Sequence, residues 1–164
     1  MSFRGRTACL VICPQWFDAL DSGIGSAVRN MSSNSRQDVI AFVRREGYRQ
    51  PIGEADRFFT SERDGEIVGA VRLSRERGVL VLRGMRVRAD MRRRGIGRRL
   101  LAQVVAAIGG ETCYCIPYRW LISFYTEAGF SEVKPEDVPP LLAQRHAKYV
   151  RVGLDVVVMG RRSR

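Results

Sequence analysis

Lysine and histidine are almost missing from this chain of 164 residues: there are two lysines, Lys134 and Lys148, and one histidine, His146. The four cysteines, spaced Cys9-x-x-x-Cys13 and Cys113-x-Cys115, do not have the usual zinc spacing. No metal site is expected, and all four are read as reduced thiols. No apolar run approaches the roughly 20 residues that span a bilayer. A Walker A loop is absent, and so is a three-glycine dinucleotide fingerprint: Arg98, Arg99 and Leu100 follow Gly95-Ile96-Gly97, and Gly23-Ile24-Gly25 fails in the same way. No helix-turn-helix, zinc-finger or aromatic RNA-binding signature occurs, nor any internal repeat.

What is present is arginine. The chain holds 26 of them and a net charge of +11, and eight fall between Arg83 and Arg99. Such a field attracts polyphosphates, and it attracts nucleic acid too. At its centre lies Arg92-Arg93-Arg94-Gly95-Ile96-Gly97, between the apolar run Val79-Leu80-Val81-Leu82 and the helical pattern Leu100–Val105. A strand, a loop with two glycines and a helix N-terminus in that order place unpartnered backbone N–H groups and the positive dipole end at one point. Glycines there let a ligand approach the backbone closely. Spacing alone fits a tight turn on a solvated basic face equally well.

A hydrophobic content of 45% suits one globular domain, residues 1–164. Arg4-Gly5-Arg6 before Ala8–Cys13 faintly suggests a signal peptide, but the apolar stretch is short and Pro14 closes it. A first strand at about 7–13 is the better reading, with a cytoplasmic location. Ser32-Ser33-Asn34-Ser35 caps a helix expected over 36–46. Strands follow at 57–63 and 66–74, joined by the hairpin pair Asp64-Gly65. Arg77-Gly78 turns into a strand over 79–87, on which alternation places Arg83, Met85 and Val87 on one face. A helix over 95–108, a strand over 112–116 with Cys113 and Cys115 on one face, and a helix over 118–128 come next. Glu136–Pro140 opens a helix to about Tyr149, and Val152–Met159 reads as a final strand.

Two blocks resemble one family. Leu82–Arg88 followed by Arg92-x-x-Gly95-x-Gly97 is similar to the signature of the GNAT superfamily of acyl-CoA-dependent N-acetyltransferases. Phe124-Tyr125-Thr126-Glu127-Ala128-Gly129-Phe130 resembles its Phe-Tyr-x-x-x-Gly-Phe block. The resemblance covers roughly residues 57–133; residues 1–50 match poorly. It implies an α/β (α+β) fold, a mixed central sheet with splayed strands and flanking helices. It implies acetyl-CoA as co-substrate, its pantetheine arm along the backbone of Met85 and Val87. The pyrophosphate would lie on the loop Arg92, Arg93, Arg94, Gly95, Gly97 and Arg98. Tyr125 would be the general acid that protonates the departing thiolate, a phenol being protonated at neutral pH.

The chain departs from the pattern at Tyr118, where many members have an asparagine, and in a strand 79–87 that has no carboxylate. His146 reads as a surface histidine; Glu62, Glu66, Asp90 and Glu127 are carboxylates near the site in sequence, none singled out as base. Without a strand-borne base, the rate should rise with pH toward the amine's own pKa. The expected activity is acetyl transfer to a primary amine, of a small molecule or peptide, by direct attack in a ternary complex. Arg72, Arg83 and Arg86 make a neutral or anionic amine a better match than a polycation. Two alternatives stand beside it: a non-catalytic acyl-CoA-binding module and a basic nucleic-acid-binding protein.

Overall fold

A computed structural model describes residues 35–162. The strand expected at 7–13, with Cys9 and Cys13, and the loop around Gly23 and Gly25 lie outside the described residues. Helix α1, Arg36–Arg45, starts at a capping box: the Ser35 Oγ accepts from the Asp38 N–H, and the Ser35 N–H donates to the Asp38 carboxylate at 2.8 Å. Its apolar stripe, Val39, Phe42 and Val43, is buried.

Strands β1 (Arg57–Arg63), β2 (Glu66–Glu76) and β3 (Val79–Val87) form an antiparallel meander. Both of its turns place two residues in the left-handed region, Asp64 with Gly65 and Arg77 with Gly78. That is the turn whose twist matches the flanking strands. Helix α2 (Ile96–Ile108) crosses over to β4 (Cys113–Cys115), which pairs parallel with β3. The short helix α3 (Ile122–Thr126), the two-residue strand β5 (Ser131–Glu132), helix α4 (Pro140–Arg151) and β6 (Met159–Arg161) complete the order. The single mixed sheet runs β1-β2-β3-β4-β6-β5. No helix among the described residues is long and apolar enough to cross a membrane.

Helices α2 and α3 cover one face, where Leu100, Leu101, Val104 and Phe130 pack on Val71, Leu73, Leu82, Met85 and Val87. The other face is covered twice: α1 lies over Ile67 and Ala70, and α4, through Leu142, lies over Val81 and Val158. Cys113 and Cys115 point together into the first face, free and buried.

Three expectations need correction. The helix over 118–128 is a 3-10 turn, Arg119–Leu121, followed by only five α-helical residues. The Arg119 N–H bonds the Asp155 carbonyl instead of a helical partner. The strand expected over Val152–Met159 reduces to an isolated bridge at Val156 and the short β6. Val152 caps α4, and Gly153, at φ +84°, reverses the chain so that the Leu154 N–H bonds the Tyr149 carbonyl. Finally, Arg83 does not share a face with Met85 and Val87. Register passes from Ala70 opposite Arg86 to Arg72 opposite Arg83, so Gly84 and Met85 together oppose Val71. Gly84 sits at φ +61°, as such a bulge requires. The bulge turns Arg83 toward the α1 and α4 face and leaves Met85 and Val87 in the core against α2.

Candidate active site

The site begins where β3 and β4 part. They pair only at Leu80 with Cys113 and at Val81 with Tyr114. Beyond that, β4 ends at Cys115 and Pro117 turns the chain away, since it has no N–H to continue a ladder. Among the described strands none pairs with the β4-side edge of β3 from Leu82 to Val87. A cleft opens in the gap, lined by Leu82–Arg86, by Cys115–Pro117 and Tyr125, and from the far side by Tyr48, Arg145 and Tyr149.

Two of these side chains are delivered by the same device. Helix α3 ends in a Schellman motif: Gly129, at φ +82°, donates to the Thr126 carbonyl at 2.9 Å and Phe130 donates to the Tyr125 carbonyl at 3.2 Å. The motif's apolar pair is Tyr125 with Phe130, rings 5.9 Å apart and edge to face. Phe124 meets Tyr125 in a second edge contact at 5.1 Å. This is what the Phe-Tyr-x-x-x-Gly-Phe spacing encodes. Helix α1 ends in the same way at Gly47, and the residue that follows is Tyr48.

Tyr125 is 3% exposed. Burial, with a smaller push from Cys115, raises its phenol well above the ordinary value, while the Arg86 charge pulls it partly back. It is therefore protonated across the physiological range.

At the far end of β3 the chain makes a 3-10 turn, Ala89–Met91, anchored by buried Met91. The Arg92 Nε holds the Val87 carbonyl at 3.1 Å. Arg93 (φ +60°) and Gly95 (φ +72°) then curl the loop into α2. Gly95 is the N-cap, and no side chain among the described residues caps the helix. The first N–H groups of α2, at Ile96, Gly97 and Arg98, have no carbonyl within the helix by its geometry. Arg93, Arg94 and Gly95 are exposed and Gly97 is buried. The Arg98 guanidinium bridges to Glu127 at 3.1 Å and so ties α2 to the end of α3. Its backbone, more than its side chain, remains for an anion.

The named carboxylates do not reach the cleft. Glu66 and Asp90 both pair with Arg88, Glu127 pairs with Arg98, and Glu62 does not line it. His146 is half-buried, with Nε2 3.1 Å from the Val156 carbonyl. Because a carbonyl only accepts, that nitrogen carries the proton. Tyr118, in the asparagine position, stacks on Trp120 at 6.1 Å. Among the described residues no cluster of His, Cys, Asp and Glu could hold a metal.

Glu76, Arg145 and Tyr48 escaped the sequence reading. Glu76 takes hydrogen bonds from Arg83 at 2.8 Å and from Arg145. Burial pushes its carboxyl up, but the bonds and charges of these two arginines outweigh it and hold the group below its ordinary value. A carboxylate so paired is a poor base. Local sequence carries no signal for this cluster, because β2, β3 and α4 each supply one member.

A family model for the acetyltransferase (GNAT) domain matches residues 54–132, which span β1 to β5 and hold both the loop and Tyr125. The segment that holds the site is thus similar to the GNAT superfamily's acetyltransferase domain over just under half of the chain. No curated protein sequence matches it. Among solved structures, the ribosomal-protein-S18-alanine N-acetyltransferase of Escherichia coli superposes with a TM-score of 0.59 at 19% identity, over 79% of this chain and 90% of that one. The N-acetylglutamate synthase of Neisseria gonorrhoeae, complexed with coenzyme A and N-acetyl-glutamate, gives 0.53 at 21% identity. It covers 65% of this chain and 26% of its own, so the chain spans about a quarter of that enzyme. An acyl-CoA N-acyltransferase of Pseudomonas aeruginosa gives 0.52 at 20% identity, over 67% and 70%. At these identities the likeness is one of fold: a GNAT mixed sheet with flanking helices.

Proposed function

We propose that this GNAT-like domain, taken as a single unit over residues 1–164, is an N-acetyltransferase acting from acetyl-CoA on a primary amine. The observation that carries the reading is the edge of β3 that no described strand pairs, which runs from buried Tyr125 to the start of α2. The residues suit acetyl-CoA. The amides of Arg93, Arg94, Gly95, Gly97 and Arg98, with the basic side chains from Arg92 onward, would hold the pyrophosphate. The backbone of Met85 and Val87 would face the pantetheine arm; their side chains are buried and take no part.

The acceptor amine attacks the thioester carbonyl in a ternary complex. The new C–N bond forms, the C–S bond breaks, and the sulfur leaves as a thiolate that takes the Tyr125 proton. Among the described residues no carboxylate lines the cleft, so the amine arrives deprotonated or loses its proton to water. The rate then rises with pH toward the amine's own pKa. We place this chemistry in the cytoplasm, with a small-molecule or peptide acceptor that is neutral or anionic.

The missing carboxylate also favours a second reading, an acyl-CoA-binding module without turnover. One experiment tests both. Thermal unfolding is followed with CoA, acetyl-CoA and duplex DNA, and acetyl transfer to a mixed amine panel is then assayed. A ligand at a hundred times its Kd adds about 2.7 kcal/mol of stability. Stabilisation by CoA with transfer supports the enzyme. Stabilisation without transfer or hydrolysis supports the module, and stabilisation by DNA alone overturns both.

A further inference from the structure

Three guanidinium groups, from Arg83, Arg86 and Arg145, line the cleft on the side away from α2. Their charges are not balanced. Arg83 and Arg145 share the single carboxylate of Glu76. Among the described residues no carboxylate pairs with Arg86, and burial holds its guanidinium below the ordinary value, only partly offset by the phenols of Tyr48, Tyr125 and Tyr118. Nearby Arg72 is neutralised by Asp56 at 2.8 Å and donates to the Tyr48 hydroxyl at 2.6 Å; its Nε is also without a partner among the described residues, but Arg72 does not line the cleft.

Arg86 is 6% exposed. It donates to the Met85 carbonyl at 2.8 Å and lies over the Tyr48 ring, 5.5 Å from its centroid. Among the described residues its Nε has no hydrogen-bond partner, and neither has the Nη1 of Arg145. A buried donor without an acceptor costs about 1–3 kcal/mol, more for a charged group. A fold that holds two such donors beside an open cleft, one on β3 and one on α4, holds them ready for something that enters. Arg86 also stands close enough to Tyr125 for its charge to act on the phenol.

We infer that the acceptor is an amine that carries a carboxylate, and that Arg86 and Arg145 clamp that carboxylate. The inference rests on the acetyltransferase reading and names the substrate class of the same site. Two orphaned donors suffice for the two oxygens of one carboxylate, once the guanidiniums turn toward the cleft. Glu76 fixes Arg145 from behind, and the Tyr48 ring supports Arg86. The amine end is left on the Tyr125 side, where the thioester would lie. A polycationic amine would meet two uncompensated positive charges.

The test compares acceptors matched in shape and different in charge. Glycine and β-alanine are set against glycinamide and β-alaninamide, each pair differing in its one carboxylate, with O-phosphoethanolamine as a phosphate-bearing amine, all at saturating acetyl-CoA. Binding of N-acetylglycine and N-acetylglycinamide in the presence of CoA is measured in parallel by calorimetry. The acidic acceptor should exceed its amide by about tenfold or more in kcat/KM, the worth of one charge-assisted hydrogen bond. Arg86→Gln and Arg145→Gln should each bring that ratio toward one by raising KM for the acidic member. Arg86→Lys should restore part of it, and CoA binding, measured separately, reports that the variants are folded.

A wild-type ratio near one overturns the clamp, as do variants that depress acidic and amide acceptors alike, or a preference for the phosphate-bearing amine. If transfer proceeds without charge preference, the clamp falls and the acetyltransferase reading stands. If no amine is acetylated but N-acetylglycine binds through Arg86 and N-acetylglycinamide does not, the clamp stands and the transfer reading falls.

Discussion

Tyr125 and Gly84 show how much a single residue decides here. Tyr125 is buried, carries its proton at every physiological pH, and is aimed by the glycine turn that follows it. Tyr125→Phe keeps the ring and both edge contacts and removes only the hydroxyl. Loss of a positioned general acid typically lowers a rate by about 10²–10⁴. We expect kcat to fall in that range while acetyl-CoA affinity hardly changes. An unaltered turnover would remove Tyr125 from the chemistry. Gly84 is the residue that the Tyr48 ring rests on: a Cβ built there would meet it at 2.7 Å, and φ is +61°. Gly84→Ala adds both overpacking and left-handed strain, together about 2–4 kcal/mol. Urea denaturation reads it directly. A loss under about 1 kcal/mol would mean that Tyr48 gives way, and that the bulge does not depend on glycine.

At the scale of elements, legibility followed locality. The hairpins at Asp64-Gly65 and Arg77-Gly78 were readable because the turn chemistry lies in adjacent residues, and both adopt it. The loop before α2 was readable for the same reason, as was the pairing of Cys113 with Cys115 on one face. The bulge at Gly84 was not. An isolated glycine in a strand marks a bulge only once the partner register is known, and missing it put Arg83 on the wrong face. Val152 misled because an apolar residue at a helix end looks like the start of a strand. The helix N-terminus carries its own prediction. Gly97 is buried in the first turn of α2, among donors that no carbonyl of the helix takes. Gly97→Asp puts a carboxylate where phosphate oxygens would sit, and CoA binding should be abolished. A variant that keeps its circular dichroism and binds CoA like the wild type would show that the phosphates lie elsewhere.

Over the whole molecule, charge and burial set the response to pH. Above neutrality the groups that matter are the buried acids on the α2 and α3 face. Burial pushes the Cys113 thiol from its ordinary 9.0 up to about 12. It pushes Cys115 well above 9.0, with help from Cys113, and raises Tyr125 above 10.0. In the unfolded chain all three titrate at their ordinary values. Below pH 9 both states hold these protons, and the contribution to stability is whole. Above it the unfolded thiols ionise while the folded ones stay neutral, so stability falls as pH rises, by about 1.4 kcal/mol per unit for each group. Tyr125 joins above pH 10. We therefore expect urea midpoints, measured under reducing conditions, to hold level from pH 7 to 8.5 and to drop steeply by pH 10.5. Cys113→Ala should lessen the slope by one group's share while lowering stability at pH 7 through the cavity it leaves. A midpoint that does not move between pH 8.5 and 10.5 would mean that water reaches the thiols, and that the sheet is less closed beside the cleft than Cys113 and Cys115 require.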